Sequence, residues 1–200
     1  MLKAKIAVLV SGGGTNLQAL IDFQNAGHLK HGEIAVVISN KPDAYALQRA
    51  RENSIPTCII ENGAAFEDEL CEVLKLYKTD VIVLAGFMKI LSADFVSKYP
   101  NRIINVHPSL IPSFCGKGFY GLKVHEEALK YGVKVTGATV HFVNEIPDGG
   151  EIIFQKAVRI LKNDTPETLQ RRVMEQAEWE ILPKAAEKVS ENIVRKAEEK

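Results

Sequence analysis

Short, nearly continuous apolar runs rich in β-branched residues recur along the first half of the chain. Strands that are buried on both faces of a parallel sheet have this pattern, because neither face meets water. The runs that we predict to be strands are residues 6–10, 34–38, 57–60, 81–85 and 103–106.

Segments with helical patterns separate these runs. The predicted helices are residues 16–25, 44–52, 66–77 and 93–98. The third has an apolar stripe that can pack on a sheet, formed by Leu70, Val73, Leu74 and Tyr77. Alternation of strands and helices with short connections predicts right-handed βαβ units.

The second half of the chain begins with a loop over residues 108–122 that contains Pro and several Gly. Loops of this length are uncommon and are often functional. A short helix is predicted at 124–131. Two longer strands at 135–143 and 151–160 are joined by NEIPDGG, whose Pro and Gly-Gly mark a turn.

The last major helix begins after Thr165, which is a suitable N-cap, with Pro166 at the first helical position. Its apolar face consists of Leu169, Val173, Ala177 and Ile181. The whole pattern predicts one α/β domain over residues 1–200. We expect a Rossmann-like, mostly parallel β-sheet flanked by helices, with an antiparallel C-terminal extension of the sheet.

Composition narrows the class of protein. Lys+Arg and Asp+Glu both number 25, so the formal net charge is zero and no field attracts nucleic acid in general. No apolar run approaches the roughly 20 residues that span a bilayer, and the N-terminus lacks the features of a signal peptide. The three scattered cysteines, Cys58, Cys71 and Cys115, suit a reducing compartment and give no metal-ligand spacing. We therefore expect a soluble cytoplasmic protein without a metal.

The segment SGGGTN, residues 11–16, follows the first predicted strand and opens the first helix. Its glycines bring backbone N–H groups close to a ligand, and a helix N-terminus attracts anions. No GK[ST] follows, and Leu17 stands where the third glycine of a dinucleotide fingerprint belongs. A single phosphate fits better than a dinucleotide. A tight turn that needs glycine for its backbone is the structural alternative.

The segment INVHPSLIP, residues 104–112, lies at the C-terminal end of a predicted parallel strand, where ligands of open α/β sheets bind. Asn105 offers a carboxamide, and His107 offers a group with an ordinary pKa of about 6.5. A structural histidine bonded to the backbone is the alternative. Asp148, in the turn IPDGG, has a structural role by default unless the fold brings it beside His107. There it would raise the pKa of His107 and orient the ring.

The remaining candidates are weaker. Cys115, in the loop after His107, could be a nucleophile, but a free cysteine is more often inert. His28 and His31 lie in a surface-like connection. His125 is expected on a polar helix face, and His141 in a strand is expected to be a core residue or to support the site.

Five segments together resemble the phosphoribosylglycinamide formyltransferase family, folate-dependent enzymes of purine synthesis. They are KIAVLVSGGGTNLQALID, VVISNKPDAYALQRA, VIVLAGFMKILS, RIINVHPSLIP and VTGATVHFVNEIPDGG, and they reach from the first strand to about residue 153. The resemblance implies transfer of a formyl group from 10-formyltetrahydrofolate, a cosubstrate, to the amine of 5-phosphoribosylglycinamide. It implies no metal and no covalent enzyme intermediate.

The resemblance also implies roles for particular residues. The catalytic trio would be Asn105, His107 and Asp148. The ribonucleotide would contact Gly14, Thr15, Asn16 and Glu178. The folate pocket would use Met88, Lys89, Ile90, Leu91, Asn105, Asn144, Glu145, Ile146, Pro147 and Asp148. Residues 1–100 would then form a phosphate-binding half and residues 101–200 a catalytic and folate-binding half.

The chain departs from the family pattern in two segments. ENGAAFEDEL is short and lacks an arginine that relatives place near the folate, and the loop after Pro112 is longer than in relatives. Three rival functions share features with this chain. A methionyl-tRNA formyltransferase needs an RNA-binding domain and usually a basic surface, and a formyl-folate hydrolase carries an N-terminal regulatory domain. A non-catalytic nucleotide-binding module would bind without turnover. We expect small-molecule substrates, no nucleic acid, no membrane, and a monomer or homodimer.

Overall fold

The computed structural model describes residues 2–199, and within them seven strands form one sheet in the order β3-β2-β1-β4-β5-β6-β7. The strands are β1 Ala4–Val10, β2 Gly32–Ser39, β3 Thr57–Ile59, β4 Val81–Leu84, β5 Ile103–His107, β6 Val135–Phe142 and β7 Ile152–Arg159. Strands β1 to β5 are parallel, β6 is antiparallel to β5, and β7 is antiparallel to β6. The predicted fold class is confirmed.

Helices connect the strands and cover both faces of the sheet. They are α1 Thr15–Asn25, α2 Tyr45–Glu52, α3 Phe66–Leu76, α4 Ala93–Ser97, α5 Leu122–Tyr131, α6 Pro166–Val173 and α7 Trp179–Glu198. A π-helical turn, Met174–Glu178, joins α6 to α7. Thr165 caps α6 as predicted: its side chain accepts from the N–H of Thr168, and the Thr168 hydroxyl accepts from the N–H of Thr165.

The core has one layer on each face of the sheet. In β1, Ile6, Val8 and Val10 pack toward one face, and Ala7 and Leu9 pack toward the other. All five are almost fully buried. Each large aliphatic side chain buried in this way contributes roughly 1.5–3 kcal/mol. Burial on both faces explains why the parallel strands read as continuous apolar runs.

The antiparallel extension depends on close approach of β6 to β7. A Cβ at Gly137 would lie 2.0 Å from the carbonyl oxygen of Lys156, so a side chain does not fit there. On its other side, β6 pairs with β5 in a register that places His141 opposite Asn105, and Thr139 opposite His107. Side chains from the two strands therefore meet at one edge of the parallel region.

The strand order reverses at β1, which lies between β2 and β4. In open α/β sheets, ligands bind in the crevice beyond the carboxyl ends of strands at such a point. The glycine loop follows β1, Met88 lies beyond β4, and His107 ends β5. Within residues 2–199, no helix is both long and apolar enough to cross a membrane.

Candidate active site

His107 is the last residue of β5 and is 4% exposed. Its Nε2 lies 2.9 Å from the carbonyl oxygen of Phe114. A carbonyl can only accept, so Nε2 carries a hydrogen and donates to it. The other ring nitrogen, Nδ1, lies 3.5 Å from Oδ2 of Asp148. The fold thus brings Asp148 beside His107, as the catalytic interpretation required.

Asp148 is held in the turn between β6 and β7 with φ of 56°. Its Oδ2 accepts a 2.8 Å hydrogen bond from the N–H of Gly116, and its Oδ1 lies 3.6 Å from Nε2 of His141. Burial raises the pKa of Asp148, but its contacts with His141, His107 and the Gly116 N–H outweigh burial. The pKa therefore lies below its ordinary value. Asp148 is a carboxylate at neutral pH.

Asp148 raises the pKa of His107, as predicted, but the pKa of this histidine still lies below its ordinary value in the ligand-free protein. Burial is the largest influence and lowers the pKa of His107, and nearby His141 lowers it further. The Phe114 carbonyl and Asp148 raise it, as expected, but they do not compensate for burial. The loop after β5 covers the ring, so His107 is neutral at pH 7.

Asn105 joins this cluster through β6. Its Nδ2 lies 3.2 Å from Nε2 of His141, whose own Nδ1 lies 2.8 Å from the carbonyl oxygen of Phe142. His141 is 2% exposed, in line with the expected core or supporting role. The members of the predicted trio are therefore neighbours, with His141 touching both Asn105 and Asp148.

The glycine loop is held by polar contacts on both sides. Ser11 donates to Asn40 at 2.7 Å and accepts from the backbone N–H of Met88 at 2.9 Å. Gly14 has φ of 72°, and a Cβ there would lie 2.6 Å from that of Ala46. Gly14 is therefore needed for the backbone. A Cβ added at Gly12 or Gly13 would meet no atom within 4 Å, so these two glycines leave open space beside the helix N-terminus.

Two side chains complete this second cluster. Arg49 donates from Nε to the carbonyl oxygen of Gly13 at 2.8 Å, which places a permanent positive charge beside the loop. Asn16 donates from Nδ2 to Glu178 Oε2 at 2.6 Å. Glu178 is buried in the π-helical turn, and burial raises its pKa to about 7 against the effect of that hydrogen bond. π-Turns occur frequently at functional sites.

The predicted folate segments carry exposed apolar side chains, namely Met88, Ile90 and Ile146. The Lys89 ammonium lies 4.8 Å from the centre of the Phe66 ring. These two residues line a cavity of about 290 Å³ together with Gly63, Ala64, Glu67, Ile90, Leu91 and Ser92. The turn of residues 144–148 is closed by Asn144, which accepts from the N–H of Ile146 at 3.0 Å and donates to the Gly149 carbonyl at 3.2 Å. Among residues 2–199, no hydrogen bond joins the trio to Glu178 or the glycine loop.

The structure also locates two of the weaker candidates, His125 and Cys115. His125 was predicted to lie on a polar helix face, and this is wrong: it is fully buried with Val124 and Ala128 on the inner side of α5. Burial, and then nearby His107, lowers the pKa of His125 to about 4. Burial and the charge of Asp148 raise the pKa of Cys115, so it is a protonated thiol. Within residues 2–199, no group of three or more His, Cys, Asp or Glu could hold a metal ion.

No local pattern marks Arg49 or Ser11 as contacts of the glycine loop, and a supporting role was expected for His141 without its partner, Asn105. The local sequence indicates only that Arg49 is a charged residue of an amphipathic helix and that Ser11 belongs to a turn. The pairing of His141 with Asn105 depends on the β5–β6 register, which no local pattern specifies.

Comparison with known proteins defines the class to which this fold and site belong. The family described as formyl transferase matches residues 4–186, and the chain belongs to that family.

The named relatives include a purine biosynthetic protein and a phosphoribosylglycinamide formyltransferase. The chain is 47% identical over 202 residues to the bovine trifunctional purine biosynthetic protein adenosine-3, covering 98% of this chain and 19% of that protein. It thus spans about a fifth of that relative's length. It is 42% identical over 184 residues to phosphoribosylglycinamide formyltransferase of Haemophilus influenzae, covering 90% of this chain and 84% of that protein. The structure of glycinamide ribonucleotide transformylase 1 from Symbiobacterium toebii superposes with a TM-score of 0.87 at 42% identity, covering 95% and 89% of the two chains.

Proposed function

We propose that this chain transfers the formyl group of 10-formyltetrahydrofolate to the primary amine of 5-phosphoribosylglycinamide, a step of purine biosynthesis. The observation that carries the proposal is the meeting of Asn105, His107 and Asp148 at the carboxyl end of β5, in a chain whose relatives include proteins named for this transfer. A partly buried carboxylate and a buried imidazole beside a carboxamide suit proton transfer and oxyanion stabilisation.

The acceptor would bind at the glycine loop. The N–H groups of Gly14, Thr15 and Asn16 at the start of α1 suit its phosphate, and Arg49 adds positive charge. Glu178 would accept hydrogen bonds from the sugar or from the glycinamide end. Because Glu178 contacts Asn16, the ribonucleotide site draws on residues from both 1–100 and 101–200. The two halves would therefore act as one domain.

The donor would bind along residues 88–91 and 144–148. The exposed apolar side chains Met88, Ile90 and Ile146 suit the flat face of a pterin, and backbone groups of both segments suit its polar edge. The full set in this pocket would be Met88, Lys89, Ile90, Leu91, Asn105, Asn144, Glu145, Ile146, Pro147 and Asp148. Asn105 and Asp148 would then lie between donor and acceptor.

The reaction would begin with attack of the neutral amine on the formyl carbon. A carbon–nitrogen bond forms, and the formyl oxygen becomes an oxyanion. Asn105 Nδ2 and His107 Nε2 carry N–H groups that can stabilise it, once substrate replaces the Phe114 carbonyl as the partner of His107. One such donor is typically worth about 2.7–4 kcal/mol in the transition state.

Proton transfer would complete the step. The attacking nitrogen loses a proton to the Asp148–His107 pair, and the proton on Nδ1 makes an imidazolium facing the carboxylate. The pair then gives this proton to folate N10, directly or through water, the bond from the formyl carbon to N10 breaks, the carbonyl reforms, and His107 is neutral again. Because His107 is neutral at rest, it acquires its charge only when the oxyanion develops. We further propose that the enzyme acts in the cytoplasm as a monomer or homodimer, without a nucleic-acid partner.

The proposed transfer is tested by an absorbance assay that monitors loss of the formyl group, with 10-formyltetrahydrofolate or a stable formyl-folate analogue as donor. Purified protein is assayed with and without 5-phosphoribosylglycinamide. Loss that requires the ribonucleotide is the expected result. Equal loss in its absence would indicate a hydrolase, and binding without loss would indicate a binding module; either contradicts the proposal.

A further inference from the structure

His141 is a buried histidine of β6 that has no part in the reaction described above. The β5–β6 register places it directly opposite Asn105. Its Nδ1 lies 2.8 Å from the Phe142 carbonyl oxygen. Its Nε2 lies 3.2 Å from Asn105 Nδ2 and 3.6 Å from Asp148 Oδ1. One ring nitrogen of His141 therefore faces two members of the trio.

The partners of His141 define where its proton lies. The Phe142 carbonyl can only accept, so Nδ1 carries the hydrogen. In a neutral ring Nε2 then has a free lone pair, which can accept from the carboxamide N–H of Asn105. The separation of 3.2 Å is a hydrogen-bond distance, whereas 3.6 Å to Asp148 is too long for one. Nε2 therefore accepts from Asn105.

We propose that His141 is a positioning residue that fixes the rotation of the Asn105 carboxamide, an inference that rests on the proposed formyl transfer. A carboxamide without a fixed partner can turn by half a rotation and present its oxygen, which would repel an oxyanion. The hydrogen bond from Asn105 to His141 Nε2 holds Nδ2 of Asn105 in place, and the second N–H on Nδ2 remains available to the formyl oxygen.

The same nitrogen cannot serve Asn105 and Asp148 in one protonation state. A protonated Nε2 would donate toward Asp148 and could no longer accept from Asn105. Asp148 already has the Gly116 N–H at Oδ2 and His107 beside it, so it does not depend on His141 for a donor. The neutral ring with hydrogen on Nδ1 is the state that holds Asn105 ready for the reaction.

The proton position is tested directly by nitrogen NMR of the full-length, ligand-free protein with ¹⁵N-labelled histidine. We expect His141 to have a protonated Nδ1 and an unprotonated Nε2 at pH 7.5, with the assignment made from a His141→Gln sample. A protonated Nε2 would overturn the proposal, because that nitrogen could not accept from Asn105. This readout does not depend on the identity of the substrate.

The positioning role is tested by kinetics. His141→Leu removes the acceptor and should lower kcat by about 10- to 100-fold, by analogy with partners that orient the ligands of metal sites, while KM for the ribonucleotide changes less than about threefold. His141→Gln, which retains an acceptor, should recover part of kcat. The control His28→Leu removes an exposed histidine and should keep wild-type kcat.

A double-mutant cycle separates positioning from a general structural effect. If His141 acts through Asn105, His141→Leu should lower kcat by less than about threefold in an Asn105→Ala background. A full, additive loss would overturn the proposal. A wild-type protein without formyl transfer would instead contradict the proposed function, and the NMR result would still decide whether His141 holds Asn105.

Discussion

Asp148 and Glu178 are both carboxylic acids at the candidate site, yet the structure shifts their pKa values in opposite directions. Asp148 receives the Gly116 N–H and faces two histidine rings, and its pKa is lowered. Glu178 is more deeply enclosed, and Asn16 is the hydrogen-bond donor that contacts its carboxylate; its pKa is raised to about 7.

Neighbouring polar groups, rather than burial alone, determine which of the two acids is charged. Burial opposes charge in both, but the two histidines and the Gly116 N–H together outweigh it at Asp148, and a single neutral amide does not at Glu178. Asp148 is therefore a carboxylate before any substrate binds. Glu178 is an acid that is about half protonated near neutral pH.

The largest effect is expected from removing the charge at the catalytic end. Asp148→Asn keeps the shape of the side chain but cannot take a proton or stabilise charged His107. We expect kcat to fall by about 10³-fold, with KM for the ribonucleotide within about threefold of wild type. Both constants are measured by steady-state kinetics of formyl transfer. Asp22→Asn, on the exposed side of α1, is the control. Near-normal turnover in Asp148→Asn would rule out the assigned role.

At the proposed ribonucleotide site, Glu178→Gln should weaken substrate binding and stabilise the protein. Loss of a charged acceptor should raise KM for the ribonucleotide by about 10- to 100-fold at pH 8, with a smaller change in kcat. Because the folded pKa of about 7 exceeds that of a free glutamate, the folded state binds the extra proton. The free energy of unfolding of the wild-type protein therefore falls by up to about 3 kcal/mol as the pH rises from about 4.5 through 7.

The variant should thus be more stable than wild type by about 3 kcal/mol at pH 8 and nearly equal to it at pH 4.5, measured by denaturant unfolding. The control Glu175→Gln changes an exposed acid of the same π-helical turn and should show no such pH dependence. Equal stability of Glu178→Gln and wild type at both pH values would contradict the raised pKa.

A backbone substitution tests the same end of the site without changing charge. Gly14→Ala places a Cβ 2.6 Å from that of Ala46 at a φ of 72°, so strain and overpacking should together cost about 1–3 kcal/mol of unfolding free energy. Gly13→Ala is the matched control, because its Cβ would meet nothing within 4 Å. Equal stability of the two variants in denaturant unfolding would show that the loop tolerates a shift of α2.

Much of the fold could be predicted from local pattern. The apolar runs became β1 to β5 because both faces of these strands are buried, and Thr165 with Pro166 marked the start of α6. Asn105 and His107 were found because the carboxyl end of a parallel strand is a binding position. Their roles, and those of the remaining predicted site residues, stay predictions.

What could not be predicted depends on elements distant in sequence. His125 reads as polar among Glu and Lys, yet it lies on the face of α5 that is turned inward. The low pKa of His107 comes from burial, including the loop whose Phe114 carbonyl contacts Nε2. Strand register decides that His141 meets Asn105. None of these follows from a window of local sequence.

The smallest effect on turnover is expected at Cys115, whose thiol is influenced by the charge of Asp148. Burial and the Asp148 carboxylate raise the pKa of the thiol, so it is a poor nucleophile, and Cys115→Ser should keep kcat within about twofold. Removing the negative charge in Asp148→Asn should lower that pKa and speed alkylation of Cys115 by iodoacetamide at pH 8. A loss of kcat above about tenfold in stable Cys115→Ser would instead give the thiol a part in catalysis. Unchanged alkylation in Asp148→Asn would contradict the influence of the carboxylate on the pKa of the Cys115 thiol.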